Sequence, residues 1–215
     1  MKTKLPIIVA LLALATAPCF SQTADILGLP VGNGPGPSTV EVDQTGSLTT
    51  GFAGGNGFAG NTFDIENIGA VPITITAWDV HLDTTGSTET IEIYWRTGTS
   101  DGFQNSPAGW TLLGTDSGVV SAGAGNPSPV AMPPITIQPG ELIGFYVDLV
   151  TQAGGTNLSY TNGGPTTFSN SEVSLTTYYG KGTPAFTGGT FTYRQWNGTV
   201  YYDILPVELQ SFSIE

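Results

Sequence analysis

One histidine (His81), one cysteine (Cys19) and five basic residues are all that this 215-residue sequence sets beside its 17 acidic side chains for acid–base, nucleophilic or metal chemistry. Gly55-Asn56-Gly57-Phe58-Ala59-Gly60 has the glycine spacing of a dinucleotide-binding turn. That site needs a strand before it and a helix after it, so that the helix N-terminus faces the pyrophosphate. Residues 61–66 read as a strand instead, so the segment is assigned to a turning loop built on the repeat of residues 51–54 and 57–60. Ala59 also occupies the aspartate position of a calcium-binding glycine-rich nonapeptide. Gly98-Thr99-Ser100-Asp101-Gly102 has the spacing of a nucleophile elbow, yet the triad histidine must follow the serine, and none follows His81.

Gly114-Thr115-Asp116-Ser117-Gly118 has a protease-like nucleophile pattern, and His81, Asp101 and Ser117 run in a serviceable order. Their span is too short to distribute a triad over two barrels, and His81, between Val80 and Leu82, is expected to face solvent from a strand. The carboxylates form two close sets, Asp64 with Glu66 and Glu89 with Glu92. Glycoside hydrolysis needs two carboxyls about 5–10 Å apart across a cleft. One strand cannot supply both walls, so these acids are expected to be solvated. Asp79, Asp83 and Glu89 are the loop acids that could hold a structural calcium ion, but no EF-hand spacing is present. No metal or cofactor is predicted, and no catalytic residue.

Recognition is the better-supported chemistry. Asn197-Gly198 is flanked by Phe191 to Trp196 and Thr199 to Ile204, the pattern of a two-residue hairpin. Such a turn would oppose Trp196 to Thr199, Arg194 to Tyr201 and Thr192 to Asp203. It would send Phe191, Tyr193, Val200, Tyr202 and Ile204 to the core. Arg194, Trp196 and Tyr201, joined by Tyr94, would then form an exposed aromatic and cationic platform, suited to stacking on a sugar ring or, as the plainer alternative, to cross-strand stabilisation of the sheet. Arg194 over Tyr201 would be a cation–π pair contributing about 0.5–1 kcal/mol.

The elements that must position these residues are strands. Phe63 and Ile65, Ile73 and Ile75, Ile91 and Ile93, and Ile143, Phe145, Val147 and Leu149 all alternate with other residues at period two. Ile135 and Ile137 precede a turn at Gln138-Pro139-Gly140-Glu141, and Leu158 with Tyr160 and Val173 with Leu175 form shorter runs. Val80 and Leu82 fall out of phase with Ile73 and Ile75, which predicts a β-bulge or bend near Trp78. No stretch has helical spacing. About ten strands are expected, in an antiparallel β-sandwich of jelly-roll type.

Residues 1–21 read as a secretory signal: Lys2 and Lys4 precede an apolar run, Leu5 to Ala15, too short to span a bilayer. Residues 22–38 form a flexible leader, 39–204 the sandwich, and 205–215 a tail or edge strand. Beyond the signal, three basic residues (Arg96, Lys181, Arg194) against 17 acidic ones leave a net charge of −14. That charge disfavours nucleic acid and anionic lipid as partners. No later run is long and apolar enough to cross a membrane. Cys19 falls within the signal, so the domain has no disulfide and must be held by its core.

Three segments together resemble a β-sandwich module that recurs in large secreted and cell-surface proteins of Gram-negative bacteria. They are residues 52–57 (Phe-Ala-Gly-Gly-Asn-Gly), 137–147 (Ile-Gln-Pro-Gly-Glu-Leu-Ile-Gly-Phe-Tyr-Val) and 194–202 (Arg-Gln-Trp-Asn-Gly-Thr-Val-Tyr-Tyr). The tail from Leu205 is similar to the linker that precedes a sorting domain in such proteins. The resemblance implies no catalytic motif. The sequence is therefore read as a non-enzymatic, exported protein with a structural or adhesive role at the cell surface, in the periplasm or in the medium. Its partners would be glycans or surface proteins, and the alternative reading is a carbohydrate-binding module using the Arg194, Trp196, Tyr201 and Tyr94 face.

Overall fold

The computed structural model describes residues 44–205. The signal at 1–21, the leader at 22–38 and the tail beyond Leu205 lie outside the described residues. What is described is all-β. The strands are β1 (Gln44–Thr49), β2 (Asn56–Phe58), β3 (Gly60–Asn67), β4 (Ile73–Val80), β5 (Thr88–Thr97), β6 (Thr111–Val120), β7 (Ser128–Val130), β8 (Ile135–Ile137), β9 (Leu142–Leu149), β10 (Leu158–Asn162), β11 (Thr166–Ser169), β12 (Val173–Lys181), β13 (Thr190–Thr192), β14 (Arg194–Trp196) and β15 (Gly198–Ile204). A single 3-10 turn spans Ala153–Gly155, and among the described residues no helix is long and apolar enough to cross a membrane. The fifteen strands exceed the ten expected because several are three-residue pieces that periodicity cannot resolve.

Every named pairing is antiparallel. The smaller main sheet runs β1-β15-β4-β7, with β8 also on β4; the larger runs β11-β12-β3-β9-β5-β6, with β13 on β12. A third, three-stranded sheet has the order β14-β10-β2. The period-two residues face inward as expected. Phe63, Ile65, Ile91, Ile93, Phe145 and Val147 of the larger sheet are buried, as are Ile73, Ile75, Trp78, Val80 and Val200 of the smaller. Contacts such as Trp78 on Phe145, 5.2 Å between ring centroids, join the two faces into one core. The Gln138 to Glu141 turn is closed by Glu141 N–H donating to the Gln138 carbonyl (2.9 Å), with Gly140 at φ 73°.

Two bulges matter for function. Opposite β15, Tyr201 pairs with Ala77 but Tyr202 with Ile75, so Thr76 is an extra residue in β4. This is the predicted phase slip, and it explains how Ile75 and Trp78 both reach the core. In β12, Thr177 pairs with Phe63 and Tyr179 with Thr62, so Tyr178 is extra. Beyond it the odd-numbered residues Tyr179 and Lys181 turn to the outer face. The edge strand β6 carries two further irregularities against β5, between Glu89 and Ile91 and between Ile93 and Tyr94.

The hairpin expected at Asn197-Gly198 does not form. β14 pairs with β10 while β15 pairs with β1 and β4, so the chain changes sheets at Asn197. Gly198 is needed for closeness rather than for a left-handed turn: a Cβ there would lie 2.2 Å from Trp196 Cζ2 and 2.4 Å from the Asp79 carbonyl oxygen. Thr50 fastens the crossing, donating its hydroxyl to the Trp196 carbonyl and its amide to the Gly198 carbonyl (3.0 Å). Of the five residues assigned inward, Val200 and Tyr202 are buried and Ile204 packs on the core, but Phe191 is only half-buried and Tyr193 is exposed. The inward assignments failed at Phe191, in β13, and at Tyr193, between β13 and β14, because β13 and β14 belong to different sheets from β15.

Candidate functional site

The sheet change dismantles the expected platform. Trp196 is 0% exposed and stacks on Phe63 with centroids 4.4 Å apart. Its indole N–H finds no acceptor among the described residues. It is a core residue, and Trp196→Phe, which keeps the stack but loses volume, is expected to cost about 1–2 kcal/mol in denaturant unfolding. The Arg194 guanidinium lies over Tyr160 at 5.5 Å, not over Tyr201, and donates to the Thr192 and Tyr193 carbonyls. Tyr94 sits on the outer face of the larger sheet. Tyr201 alone remains exposed, on the outer face of the smaller one.

Around Tyr201 that outer face is indented on both sides. A groove of about 550 Å³ runs between Tyr201 and the segment Pro129 to Met132, and a second of about 430 Å³ lies between Tyr201 and β1. They share Thr76, Ala77 and Tyr201. The phenol donates to Asp79 Oδ2 at 2.6 Å, and this bond is the main cause holding the Tyr201 hydroxyl above its ordinary pKa. Asp79 is itself buried, so the ring is oriented from beneath.

The larger sheet's outer face holds the more unusual electrostatics. Register places Lys181, Gly60, Asp148 and Glu92 side by side across β12, β3, β9 and β5, and in the next row Thr62, Tyr146 and Tyr94. Two carboxylates from different strands thus lie opposite each other, an arrangement missed in reading only within strands. Burial first, then the Glu92 charge, push Asp148 up to about 7. Tyr146 O–H reaches Asp148 Oδ1 at 3.4 Å, and Tyr94 O–H donates to Glu92. Burial holds both phenols protonated well beyond their usual range. Trp110 and Phe186 roof this row, Phe186 meeting Tyr146 edge-on at 4.8 Å and Trp110 meeting it at 6.1 Å. Beneath that roof Asp148 is only 4% exposed, while Glu92 is half-buried.

Lys181 is 0% exposed and its ammonium is held by oxygens from two loops: Asn105 Oδ1 (2.7 Å), Thr190 Oγ1 (2.7 Å), the Gly188 carbonyl (2.9 Å) and the Phe186 carbonyl (3.4 Å). Burial pulls its pKa down. The neighbouring loop at 98–102 is held to the sheet by Asp64, which accepts from Thr99 Oγ1 and the Ser100 N–H, each at 2.6 Å. Gly144 lets that loop lie flat, since a Cβ there would come 2.6 Å from the Ser100 nitrogen.

The remaining motifs resolve into architecture. His81 does not face solvent: it is buried, and its Nε2 accepts the Gly125 N–H at 2.7 Å, which requires the neutral ring, while burial lowers its pKa. Ser100 is buried in a loop, and no helix follows it as an elbow requires. The glycine-rich segment leads through β2 into β3. Asp64 and Glu89 are buried rather than solvated; Glu89 accepts from Thr151 (2.9 Å) and the Ala153 N–H (3.2 Å). Of the proposed calcium acids, Asp83 instead binds the Asn157 amide (2.8 Å), Asp79 binds Tyr201, and among the described residues no three His, Cys, Asp or Glu side chains converge.

No protein-family profile matches the chain, and no curated protein matches it. Among solved structures it is similar to one described as "Structure of infectious bursal disease virus Gx strain", at 15% identity over 83% of this chain and 47% of that one, with a TM-score of 0.26. The chain thus spans about half of that protein's length, and at this TM-score the likeness carries no argument.

Proposed function

We propose that this chain is an exported β-sandwich module without enzymatic activity, acting in adhesion or in surface or matrix structure. The observation that supports it best is the use made of its scarce reactive side chains. His81 caps a loop amide, Lys181 ties two loops together, and Ser100 is buried within one of them. Side chains used in this way favour a structural role over a catalytic one. The charged start and apolar run of residues 1–21, and the resemblance of residues 52–57, 137–147 and 194–202 to Gram-negative surface modules, support export.

The test is to express the full chain in a Gram-negative host, fractionate the cells and weigh the mature protein. Loss of residues 1–21 or thereabouts, recovery outside the cytoplasm and increased attachment of producing cells to coated surfaces are the expected results. Retention in the cytoplasm with the N-terminus intact, or turnover of chromogenic glycosides or esters by the purified domain, would defeat this reading.

A further inference from the structure

The geometry points to a saccharide-binding site on the exposed face of the smaller sheet, in which Tyr201 separates two subsites for an uncharged glycan of at least two linked rings. This rests on the adhesive reading and gives it a ligand class. Three features carry it.

The first is shape. The bulge at Thr76 lies beside Tyr201, and the residue paired with Tyr201 is only Ala77. The tyrosine therefore stands as a ridge between hollows of about 550 and 430 Å³. Each exceeds the roughly 300 Å³ at which small-ligand sites begin.

The second is preorganisation. Tyr201 is 39% exposed, an unusual cost for a large ring in mid-sheet, yet its hydroxyl is fixed by the buried Asp79 at 2.6 Å. An aromatic face already locked in position loses little entropy on stacking against the C–H face of a pyranose.

The third is charge. The hollow beside β1 offers Thr45, Ser47 and Asp203, and the other offers Asp116, whose carboxylate is fixed by the Gly118 and Ala131 N–H groups at 2.9 Å each. Hydroxyls and carboxylates accept or exchange hydrogen bonds with sugar hydroxyls, while the exposed Pro129 and Ala131 give the ring an apolar edge. Among the described residues no lysine or arginine lines either hollow, and the chain's formal charge is −12, so uronic, sulfated or sialylated glycans are repelled.

Purified protein would be titrated calorimetrically with neutral hexasaccharides of glucose, mannose, galactose and N-acetylglucosamine, and with polygalacturonate and heparin. Binding to at least one neutral probe is expected, weakened roughly tenfold or more by Tyr201→Ala. Ala77→Leu, which fills the junction of the hollows without touching the Asp79 bond, is expected to weaken it similarly. Thermal melts of both variants report whether they are folded. No neutral probe bound, binding only to the anionic polymers, or binding undiminished in both folded variants overturns the inference. Producing cells that still attach when carrying Tyr201→Ala leave the adhesive reading standing while removing this ligand; neutral glycan binding by a protein that confers no attachment does the reverse.

Discussion

Lys181→Met is expected to lower the melting temperature by roughly 6–12 °C, the equivalent of about 3 kcal/mol for a domain of this size. The ammonium donates to Asn105, Gly188 and Thr190 at 2.7–2.9 Å, with Phe186 farther off. Methionine matches its length but leaves those oxygens without their donor. Each orphaned acceptor costs about 1–3 kcal/mol if it stays buried, and relief of the lysine's own desolvation returns part of the loss. The damage should also be local. Amide hydrogen exchange is expected to accelerate at 98–110 and 182–190, the two loops the ammonium joins, before it changes in β3 or β9. A melting temperature within 2 °C of the parent, or protection lost evenly over the domain, would show that the lysine is an incidental occupant of its cage.

The second large effect is a gain. Asp148→Asn is expected to stabilise the domain by about 2–3 kcal/mol at pH 8 and hardly at all at pH 4. Asp148 titrates near 7 in the folded chain against an ordinary value of 3.8. A carboxyl raised in this way binds its proton more tightly folded than unfolded. Its contribution is therefore complete below pH ~4 and is lost as pH rises to about 7, with a limit on the order of 4 kcal/mol at about 1.4 kcal/mol per pH unit. Asparagine is a permanent stand-in for the protonated acid and escapes that loss. His81 gives the opposite limb: its pKa is lowered by burial, so its contribution is present above its ordinary value near 6.5 and disappears as pH falls. The difference between variant and parent, read from urea midpoints at the two pH values, cancels the histidine. Equal midpoint differences at pH 4 and pH 8 would mean that Asp148 is not raised.

Most of the core was legible because alternation maps directly onto the face of a strand. Phe63, Ile91 and Phe145 needed no knowledge of pairing to be placed inward. The slip between Ile75 and Val80 was visible for the same reason, one residue too many for one face. What alternation cannot see is which strands are neighbours. Asn197-Gly198 has the residues of a tight turn, but glycine answers two needs, positive φ and close approach, and here only the second applies. That one ambiguity misplaced Trp196, Arg194, Phe191 and Tyr193 together.

The Glu92 and Asp148 pair was hidden because it joins strands 56 positions apart in sequence, and only the register brings them opposite. A weaker signal was present in β9. Its outward residues, Gly144, Tyr146 and Asp148, are poor choices for a solvated face, and together they indicate an outer surface covered by something. The covering loops carry Trp110 and Phe186 but no periodicity, so nothing in their sequence says where they land.

Ten residues long and terminal in the larger sheet, β6 is the sort of free border on which another chain's strand could assemble. Its two register breaks interrupt the even spacing of amides and carbonyls that such growth requires. Neighbouring copies of this domain are thereby shielded from linking edge to edge into fibrils, although Leu112 and Val120 stand exposed on that border.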